Sequence, residues 1–172
     1  VPACCTSVIE GLYPKSALNI PTLNTAFASA AAAASGVEAA LEAQGIGDVT
    51  VLSWAGDGGT ADIGIQALSG AAERGTNFLY ICYDNEAYMN TGGQRSGATP
   101  LYAMTTTTPI GPFGRGKMTP KKNLPMIFAA HGVPYVATAS VSFPTDLIAK
   151  VEYAKGIKGF KMLIINSPCP TG

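Results

Sequence analysis

Two short apolar runs, separated by an amphipathic stretch, mark the middle of the chain. Residues 51–54 are mostly apolar and stop at a glycine-rich turn, and residues 78–83 form the second run. Such runs are typical of buried parallel strands. Between them, apolar residues recur at three- and four-residue steps, as expected for a helix, at Ile63, Ala67, Leu68 and Ala71. We therefore predict one βαβ unit, with Gly75 ending its helix.

The same alternation continues on both sides of this unit. The alanine-rich residues 22–44 predict one long helix, or two short ones that meet at Gly36. Further on, we predict helices over residues 123–131 and 144–155, and strands over 135–139 and 162–166. Residues 86–118 are rich in Gly, Thr and Pro and lack periodicity, which indicates a long loop of the kind that often carries function. The fold class is α/β, a doubly wound and mostly parallel sheet that binds its ligand at the carboxyl edge.

Composition narrows the class of protein. A chain of 172 residues with 47% hydrophobic content suits one domain over residues 1–172. Zero net charge and the lack of aromatic-basic interleaving argue against nucleic acid as a partner, and no apolar stretch reaches the ~20 residues that cross a membrane. Charged residues are only 13%, which predicts a surface that contacts other subunits. Four cysteines, two of them adjacent, favour a cytoplasmic location over a secreted disulfide framework.

The polar residues at the strand ends suggest the chemistry. Gly56-Asp57-Gly58 follows the first strand and Asn85 the second, so both lie at one edge of the sheet. Residues 56–61 also fit a loose dinucleotide fingerprint, but the Asp57 carboxylate would repel a bare pyrophosphate. A magnesium ion between the two would remove this repulsion, and it prefers carboxylate and amide oxygens as ligands. A metal-bridged diphosphate, closed over by glycines and helix-start amides, therefore explains these residues better than a dinucleotide.

A family resemblance supports this interpretation. The span from Gly56 to Asn85 resembles the thiamine diphosphate motif, which begins with Gly-Asp-Gly and ends in asparagine. Residues 84–96, with the sequence Asp-Asn-Glu-Ala-Tyr-Met-Asn-Thr-Gly-Gly-Gln-Arg-Ser, and then 98–100 and 105–109, are similar to the thiamine-binding β subunit of 2-oxoacid:ferredoxin oxidoreductases. The likeness runs from Cys5 to the tail Cys169-Pro170-Thr171-Gly172, nearly the whole chain.

The resemblance implies a thiamine diphosphate-binding fold, of the pyrophosphate-binding type, and assigns roles to its residues. Magnesium would be held by the side chains of Asp57 and Asn85 and by the backbone oxygen of Ala87. Asn90 would be the catalytic residue, reaching the thiazolium ring and the substrate. The other residues implied in binding the cofactor are Gly56, Gly58, Gly59, Thr91 and Gly92.

The resemblance also implies a [4Fe-4S] cluster close to the thiamine. Cys5 and Cys169 match two of its four thiolate ligands, and Cys4 stands where relatives carry glycine. The other two ligands form an upstream Cys-x-x-Cys in the family, which this sequence does not contain. Together with the missing initiator methionine and the end at Gly172, this leads us to expect a chain truncated at both ends.

The implied function is the oxidative decarboxylation of a 2-oxoacid, pyruvate by default, with electrons passed through iron–sulfur clusters to ferredoxin and coenzyme A as the acyl acceptor. The implied partners are an α chain with the pyrimidine-binding domain, a γ chain and a ferredoxin-like δ chain, without which we expect no activity. Alternatives are a relative acting on oxalate, 2-oxoglutarate or an aromatic or branched 2-oxoacid, a cluster-free thiamine-dependent decarboxylase, or a non-catalytic assembly subunit. A nicotinamide-dependent dehydrogenase would need Asp84 as its ribose ligand.

A small basic run lies at the end of the long loop, at Arg115, Lys117, Lys121 and Lys122. We interpret it as a solvated face, with contact to a partner subunit as the alternative. His131 ends a predicted helix beside Gly132 and is interpreted as structural.

Overall fold

A computed structural model describes residues 1–170 of the chain, so Thr171 and Gly172 of the tail lie outside the described residues. In chain order the elements are α1 (Cys5–Glu10), α2 (Ala30–Ala43), β1 (Leu52–Gly56), a π-helical turn (Gly59–Ile63), α3 (Ile65–Glu73), β2 (Leu79–Asp84), β3 (Ala87–Tyr88), β4 (Gln94–Arg95), β5 (Ile110–Gly111), β6 (Gly114–Arg115), α4 (Leu124–Ala130), β7 (Tyr135–Ser140), α5 (Pro144–Lys155) and β8 (Lys161–Asn166).

A four-stranded parallel sheet in the order β1-β2-β8-β7 forms the centre of the fold. Every residue of β2 is buried, as are all residues of β8 except the last, which explains why both read as continuous apolar runs. Because the strands are parallel, their carboxyl ends meet at one edge, with Gly56 of β1 paired to Tyr83 of β2. This confirms the predicted α/β fold class with a mostly parallel sheet.

Helices cover both faces of the sheet. On one face, Tyr80 and Cys82 of β2 pack in a core with residues of α2, α3 and α4, such as Leu68 and Phe128. On the other face, the alternate residue Ile81 packs in a second core with Ala154 and other residues of α5. The side-chain period of two along a strand sends neighbouring residues into separate cores. This two-sided burial is the doubly wound arrangement.

The starts of α2 and α3 differ from the predictions. Helix α2 starts only at Ala30, and Gly36 lies inside it without interrupting it, so the predicted helix over residues 22–29 is wrong. Alanine raises helix propensity across the region, but residues 22–29 are not helical in the structure and carry no periodic apolar face. Ile63 is 54% exposed, because it ends a π-helical turn that shifts the phase of the chain before α3 begins.

The long loop contains small elements that the pattern did not predict. Two antiparallel ladders form within it, between β3 and β4 and between β5 and β6, each only two residues per strand. Strands this short carry too few residues for an alternating pattern to be recognised. Within residues 1–170, no helix combines the length and apolar character that a membrane crossing requires.

Candidate functional site

The parallel pairing of β1 and β2 brings Asp57 and Asn85 together at the carboxyl edge of the sheet. Each side chain follows its strand by one residue. The terminal amide group of Asn85 places one atom 2.8 Å from Asp57 Oδ1 and 2.9 Å from the backbone oxygen of Ala87. The three residues that the resemblance assigns to a magnesium ion therefore meet at one point.

The orientation of the Asn85 amide decides what this point can hold. In one orientation Nδ2 donates hydrogen bonds to Asp57 Oδ1 and Ala87 O. In the other, Oδ1 faces these two oxygens, and Nδ2 lies 4.0 Å from Cys5 Sγ. Neighbouring oxygens around an octahedral Mg²⁺ are about 3.0 Å apart, because each lies about 2.1 Å from the ion. Three converging oxygens repel one another without a cation, so the second orientation fits a small divalent ion.

The burial of the Asp57 carboxyl also favours a bound cation. Its side chain is fully buried, and this desolvation raises the pKa of the carboxyl to about 7. A hydrogen bond from Ser96 opposes this rise in pKa, whereas the charge of Asp84 adds to it. A buried carboxylate of this kind gains from a bound cation, which compensates the charge that burial disfavours.

A loop that comes much later in the chain supports Asp57 from the other side. Ser96 Oγ donates a hydrogen bond to Asp57 Oδ2, and it accepts one from the backbone N–H of Ala98 at 3.0 Å. Thr99 Oγ1 in turn accepts the Ser96 N–H at 2.9 Å and donates to the backbone oxygen of Glu86. Sequence reasoning missed Ser96 and Thr99, since no pattern links a loop residue to a strand end. The only local signal is a Ser-x-x-Thr turn.

Packing against two tyrosine rings explains why two positions of the motif, Gly56 and Gly58, carry glycine. A Cβ at Gly58 would lie only 2.5 Å from the ring of Tyr88, and a Cβ at Gly56 would lie 3.2 Å from the ring of Tyr83. The Tyr88 hydroxyl lies 3.0 Å from Asp62 Oδ2 and 3.2 Å from Gly58 O. Gly58 is thus needed for close packing of Tyr88. A Cβ at Gly59 would meet only an ordinary contact, at 3.5 Å.

The basic run is part of the framework, and its interpretation as a solvated face is wrong for Lys117 and Lys121. Lys117 is only 2% exposed, and its Nζ donates to the backbone oxygens of residues 97, 99 and 120. Lys121 pairs with Asp84 at 2.6 Å and with Glu86 at 2.9 Å. Lys122 is exposed but bonds the π-helical turn through Asp62, at 2.9 Å. The lysines thus connect the long loop, the end of β2 and the π-helical turn to one another.

Two cavities lie against the loop that follows Asn85. Asn90 and Thr91 line one of about 380 Å³, together with Ala3, Cys4, Ser7, Phe27 and Tyr88. Ala87 and Gly92 line the other, of about 790 Å³, together with Met104 and other residues of the long loop. Four of the residues that the resemblance assigns to the cofactor thus line a cavity, two in each.

Cys5 and Cys169, the two cysteines that the resemblance assigns to an iron–sulfur cluster, lie in different parts of the chain. Cys5 Sγ lies 4.0 Å from Asn85, and burial together with the neighbouring Cys4 raises the pKa of its thiol. Cys169 follows β8 by three residues, beyond the same edge of the sheet. Within residues 1–170, no three side chains of His, Cys, Asp or Glu gather around a common metal position. Cys82 is fully buried in the core.

Asp84, the ribose ligand that a dehydrogenase would need, is engaged elsewhere. Its side chain is buried, one oxygen pairs with Lys121 and the other accepts the backbone N–H of Glu86 at 3.0 Å. A carboxylate bound on both oxygens is poorly placed to accept hydrogen bonds from a ribose. The geometry therefore argues against the dehydrogenase alternative.

Comparisons with known proteins identify the family of the chain. Residues 3–165 match the family described as "Thiamine pyrophosphate enzyme, C-terminal TPP binding domain". The pyruvate synthase subunit PorB of Methanothermobacter marburgensis is 59% identical over 168 residues, which are 98% of this chain and 58% of that protein. The ketoisovalerate oxidoreductase subunit VorB of Pyrococcus horikoshii is 51% identical over 177 residues, covering 100% of this chain and 57% of that protein.

A solved structure shows the same architecture. The 2-oxoglutarate:ferredoxin oxidoreductase from Magnetococcus marinus matches with a TM-score of 0.84 and 28% identity, over 99% of this chain and 53% of that chain. The chain thus spans somewhat more than half the length of the relatives it matches. The chain therefore belongs to the thiamine pyrophosphate enzymes, by their C-terminal TPP-binding domain, and it is similar to PorB and VorB along nearly its whole length.

Proposed function

We propose that this chain is the thiamine diphosphate-binding part of a 2-oxoacid:ferredoxin oxidoreductase, which decarboxylates a 2-oxoacid oxidatively and passes the electrons to ferredoxin. The observation that carries the proposal is the convergence of the Asn85 amide on Asp57 Oδ1 and Ala87 O, at 2.8 and 2.9 Å. This convergence lies at the sheet edge where ligands bind in open α/β folds. The family membership of the chain supports the same assignment.

In this proposal the three oxygens hold Mg²⁺, and the ion anchors the diphosphate of the cofactor. Asp57 contributes the charged ligand, and Asn85 and Ala87 contribute neutral ones. Magnesium commonly combines a few protein oxygens with phosphate oxygens and water in this way. Gly56, Gly58 and Gly59 bring the backbone of the π-helical turn to the same edge of the sheet.

The thiamine itself supplies the carbanion chemistry that breaks the bond between a 2-oxo carbon and its carboxylate. The chain's own contribution is binding and orientation. Asn90 and Thr91 line the cavity that also contains Cys4 and Phe27, and we assign Asn90 the role of contacting the reacting atoms. Gly92 lines the neighbouring cavity with Ala87, and it completes the cofactor-binding segment.

Electron transfer requires groups beyond this site. We propose that Cys5 and Cys169 contribute to a [4Fe-4S] cluster, whose other ligands come from outside the described residues. The position of Cys5 beside Asn85 would place such a cluster close to the cofactor. The partners in this proposal are the pyrimidine-domain α chain, the γ chain, the ferredoxin-like δ chain, ferredoxin and coenzyme A, in the cytoplasm.

Pyruvate is the substrate we propose, because relatives named pyruvate synthase reach 59 and 60% identity. A branched 2-oxoacid is the second candidate, since subunits named ketoisovalerate oxidoreductase reach 51% identity over the whole chain. The two differ by the bulk of the substrate side chain. Competition between pyruvate and 2-oxoisovalerate, measured as the ratio of kcat/KM, separates them.

The direct test uses the full-length protein, purified anaerobically with the subunits that copurify. We expect 2-oxoacid-dependent reduction of ferredoxin that requires coenzyme A, and that is lost after removal of thiamine diphosphate and Mg²⁺ and restored by adding both. Iron analysis of Cys5→Ala is expected to show a loss that Cys82→Ala, a core control, does not show. Turnover that is independent of thiamine diphosphate would contradict the proposal, and iron-free activity would favour a cluster-free decarboxylase.

A further inference from the structure

The residue between two of the magnesium-facing groups has an unusual backbone. Glu86 lies between Asn85 and Ala87 in the chain, and its φ of 68° is in the left-handed region. Residues other than glycine adopt this region uncommonly, because the Cβ atom crowds the backbone. This conformation occurs two residues after the end of β2, where the backbone oxygen of Ala87 lies 2.9 Å from the Asn85 amide.

Three contacts hold Glu86 in this conformation. Its backbone N–H donates to Asp84 Oδ1 at 3.0 Å, and its backbone oxygen accepts a hydrogen bond from Thr99 Oγ1. Its side chain accepts from Lys121 Nζ at 2.9 Å. Strained backbone persists where its surroundings determine it in several ways at once, as they do here.

Lys121 connects these contacts. The same Nζ lies 2.6 Å from Asp84 Oδ2, so one ammonium group joins the two carboxylates that flank Asn85 in the chain. Burial lowers the pKa of Lys121, but its hydrogen bonds to Asp84 and Glu86 outweigh this effect and hold the pKa above the usual value. The lysine therefore remains a cation, and its bridge joins Glu86 to the buried Asp84 carboxylate.

We propose that Lys121 is a positioning residue, which bridges Asp84 and Glu86 and thereby holds Glu86 in the left-handed turn that presents the Ala87 oxygen to magnesium. The inference rests on the proposed function, because it concerns the same ion. Lys121 does not contact the ion in this arrangement. It acts through the backbone of residues 85–87.

A purely electrostatic role for Lys121 predicts the opposite result. A positive charge close to a cation site repels the cation, so removing it would strengthen Mg²⁺ binding. Loss of a positioning contact instead weakens binding, because the Ala87 oxygen is no longer held in place. Changes to residues that orient metal ligands typically cost about 10- to 100-fold in metal affinity. The sign of the effect therefore distinguishes the two roles.

The experiment measures Mg²⁺ affinity by isothermal titration calorimetry at saturating thiamine diphosphate, on the full-length protein in the complex in which it purifies. We expect Lys121→Gln to weaken binding about 10- to 100-fold. Lys121→Arg should retain most of the affinity, since a guanidinium can join two carboxylates. Lys150→Gln is the matched control, because Lys150 forms an equally short ion pair, 2.6 Å from Asp146, on the surface of α5.

A second-site variant distinguishes the loss of the Lys121 bridge from a general loss of folding. Glycine adopts positive φ readily, so Glu86→Gly should reduce the need for the bridge, and the double variant Glu86→Gly/Lys121→Gln should bind Mg²⁺ more tightly than Lys121→Gln alone. Unchanged or tighter binding by Lys121→Gln, or no recovery in the double variant, would overturn the inference. If the unmodified protein binds thiamine diphosphate without Mg²⁺, the proposed function itself fails, and the inference fails with it.

Discussion

Ser96 donates a hydrogen bond to the buried carboxylate of Asp57 from a position 39 residues further along the chain. The bond joins the long loop to the tip of β1. It occupies Oδ2 of Asp57, while Oδ1 faces Asn85. Each oxygen of the carboxylate thus has its own partner, which fixes the direction in which Asp57 faces the sheet edge.

The loss of this bond should weaken metal binding. We expect Ser96→Ala to reduce Mg²⁺-dependent binding of thiamine diphosphate about 10- to 100-fold, because it removes an orienting partner of the carboxylate that we propose as a metal ligand. Calorimetric titration of both ligands measures the effect. Ser142→Ala, at an exposed serine, is the control. Equal affinities for the two variants would show that Ser96 does not orient Asp57.

Removal of the carboxylate should have a larger effect. Asp57→Ala is expected to abolish Mg²⁺-dependent binding of thiamine diphosphate, because it deletes the only charged oxygen of the converging set. Asp48→Ala, at an exposed position before β1, should bind as the unmodified protein does. A variant without the Asp57 carboxylate that still binds the cofactor with normal affinity would refute the assignment of the site.

The raised pKa of Asp57, about 7, predicts a pH dependence of cation binding. The ion binds the carboxylate form, so below pH ~7 each unit of pH should lower Mg²⁺ affinity by about tenfold, and above it the affinity should level off. Titration calorimetry across pH 5 to 8.5 would measure the slope. A flat profile through this range would contradict the burial of a titrating ligand.

The stability of the cation-free protein should change in the opposite direction. Since the pKa of Asp57 is raised on folding, from 3.8 to about 7, the folded state binds more protons than the unfolded state between these values. Its contribution to the free energy of unfolding is therefore largest at low pH and is lost as pH rises toward 7, by up to about 4 kcal/mol. Denaturant unfolding across this pH range, with Asp57→Asn as the reference, isolates the contribution of Asp57 to the free energy of unfolding, since the amide does not titrate.

Gly58 should be intolerant of a side chain for a steric reason. We expect Gly58→Ala to destabilise the fold by about 1–3 kcal/mol, because its Cβ would lie 2.5 Å from the Tyr88 ring. Gly36→Ala is the matched control, since no atom lies within 4 Å of its added Cβ and alanine favours the helix by about 1 kcal/mol. Opposite shifts in urea unfolding are expected, and destabilisation by both changes would contradict this explanation.

The strands that the sequence predicted well are those whose burial determines their composition. Strand β2 is buried along its whole length, and β8 nearly so, which leaves an unbroken apolar run in each. Helix α5 runs from Pro144 to Lys155, as predicted, because proline marks its first turn and Gly156 follows its end. At the site, the parallel sheet alone is enough to place Asp57 beside Asn85.

What the sequence left unpredicted depends on contacts between distant segments. Ser96 and Lys121 reach Asp57 and Asp84 across the fold, and neither contact has a local pattern. A run of lysines is ordinarily solvated, but here Lys117 fills a site surrounded by backbone carbonyl oxygens. The π-helical turn is a local feature instead: a Cβ at Gly64 would lie 2.2 Å from Gly59 O, so the turn closes on a residue without a side chain.

The pairing of Gly56 with Tyr83 has a consequence for how the cofactor is acquired. The groups that we propose to hold the ion follow two strand ends, which become neighbours only after these strands have paired. An incompletely folded chain therefore lacks the complete site. Cofactor uptake should therefore follow sheet assembly, and retention of the vitamin can serve as a reporter of native strand pairing during refolding.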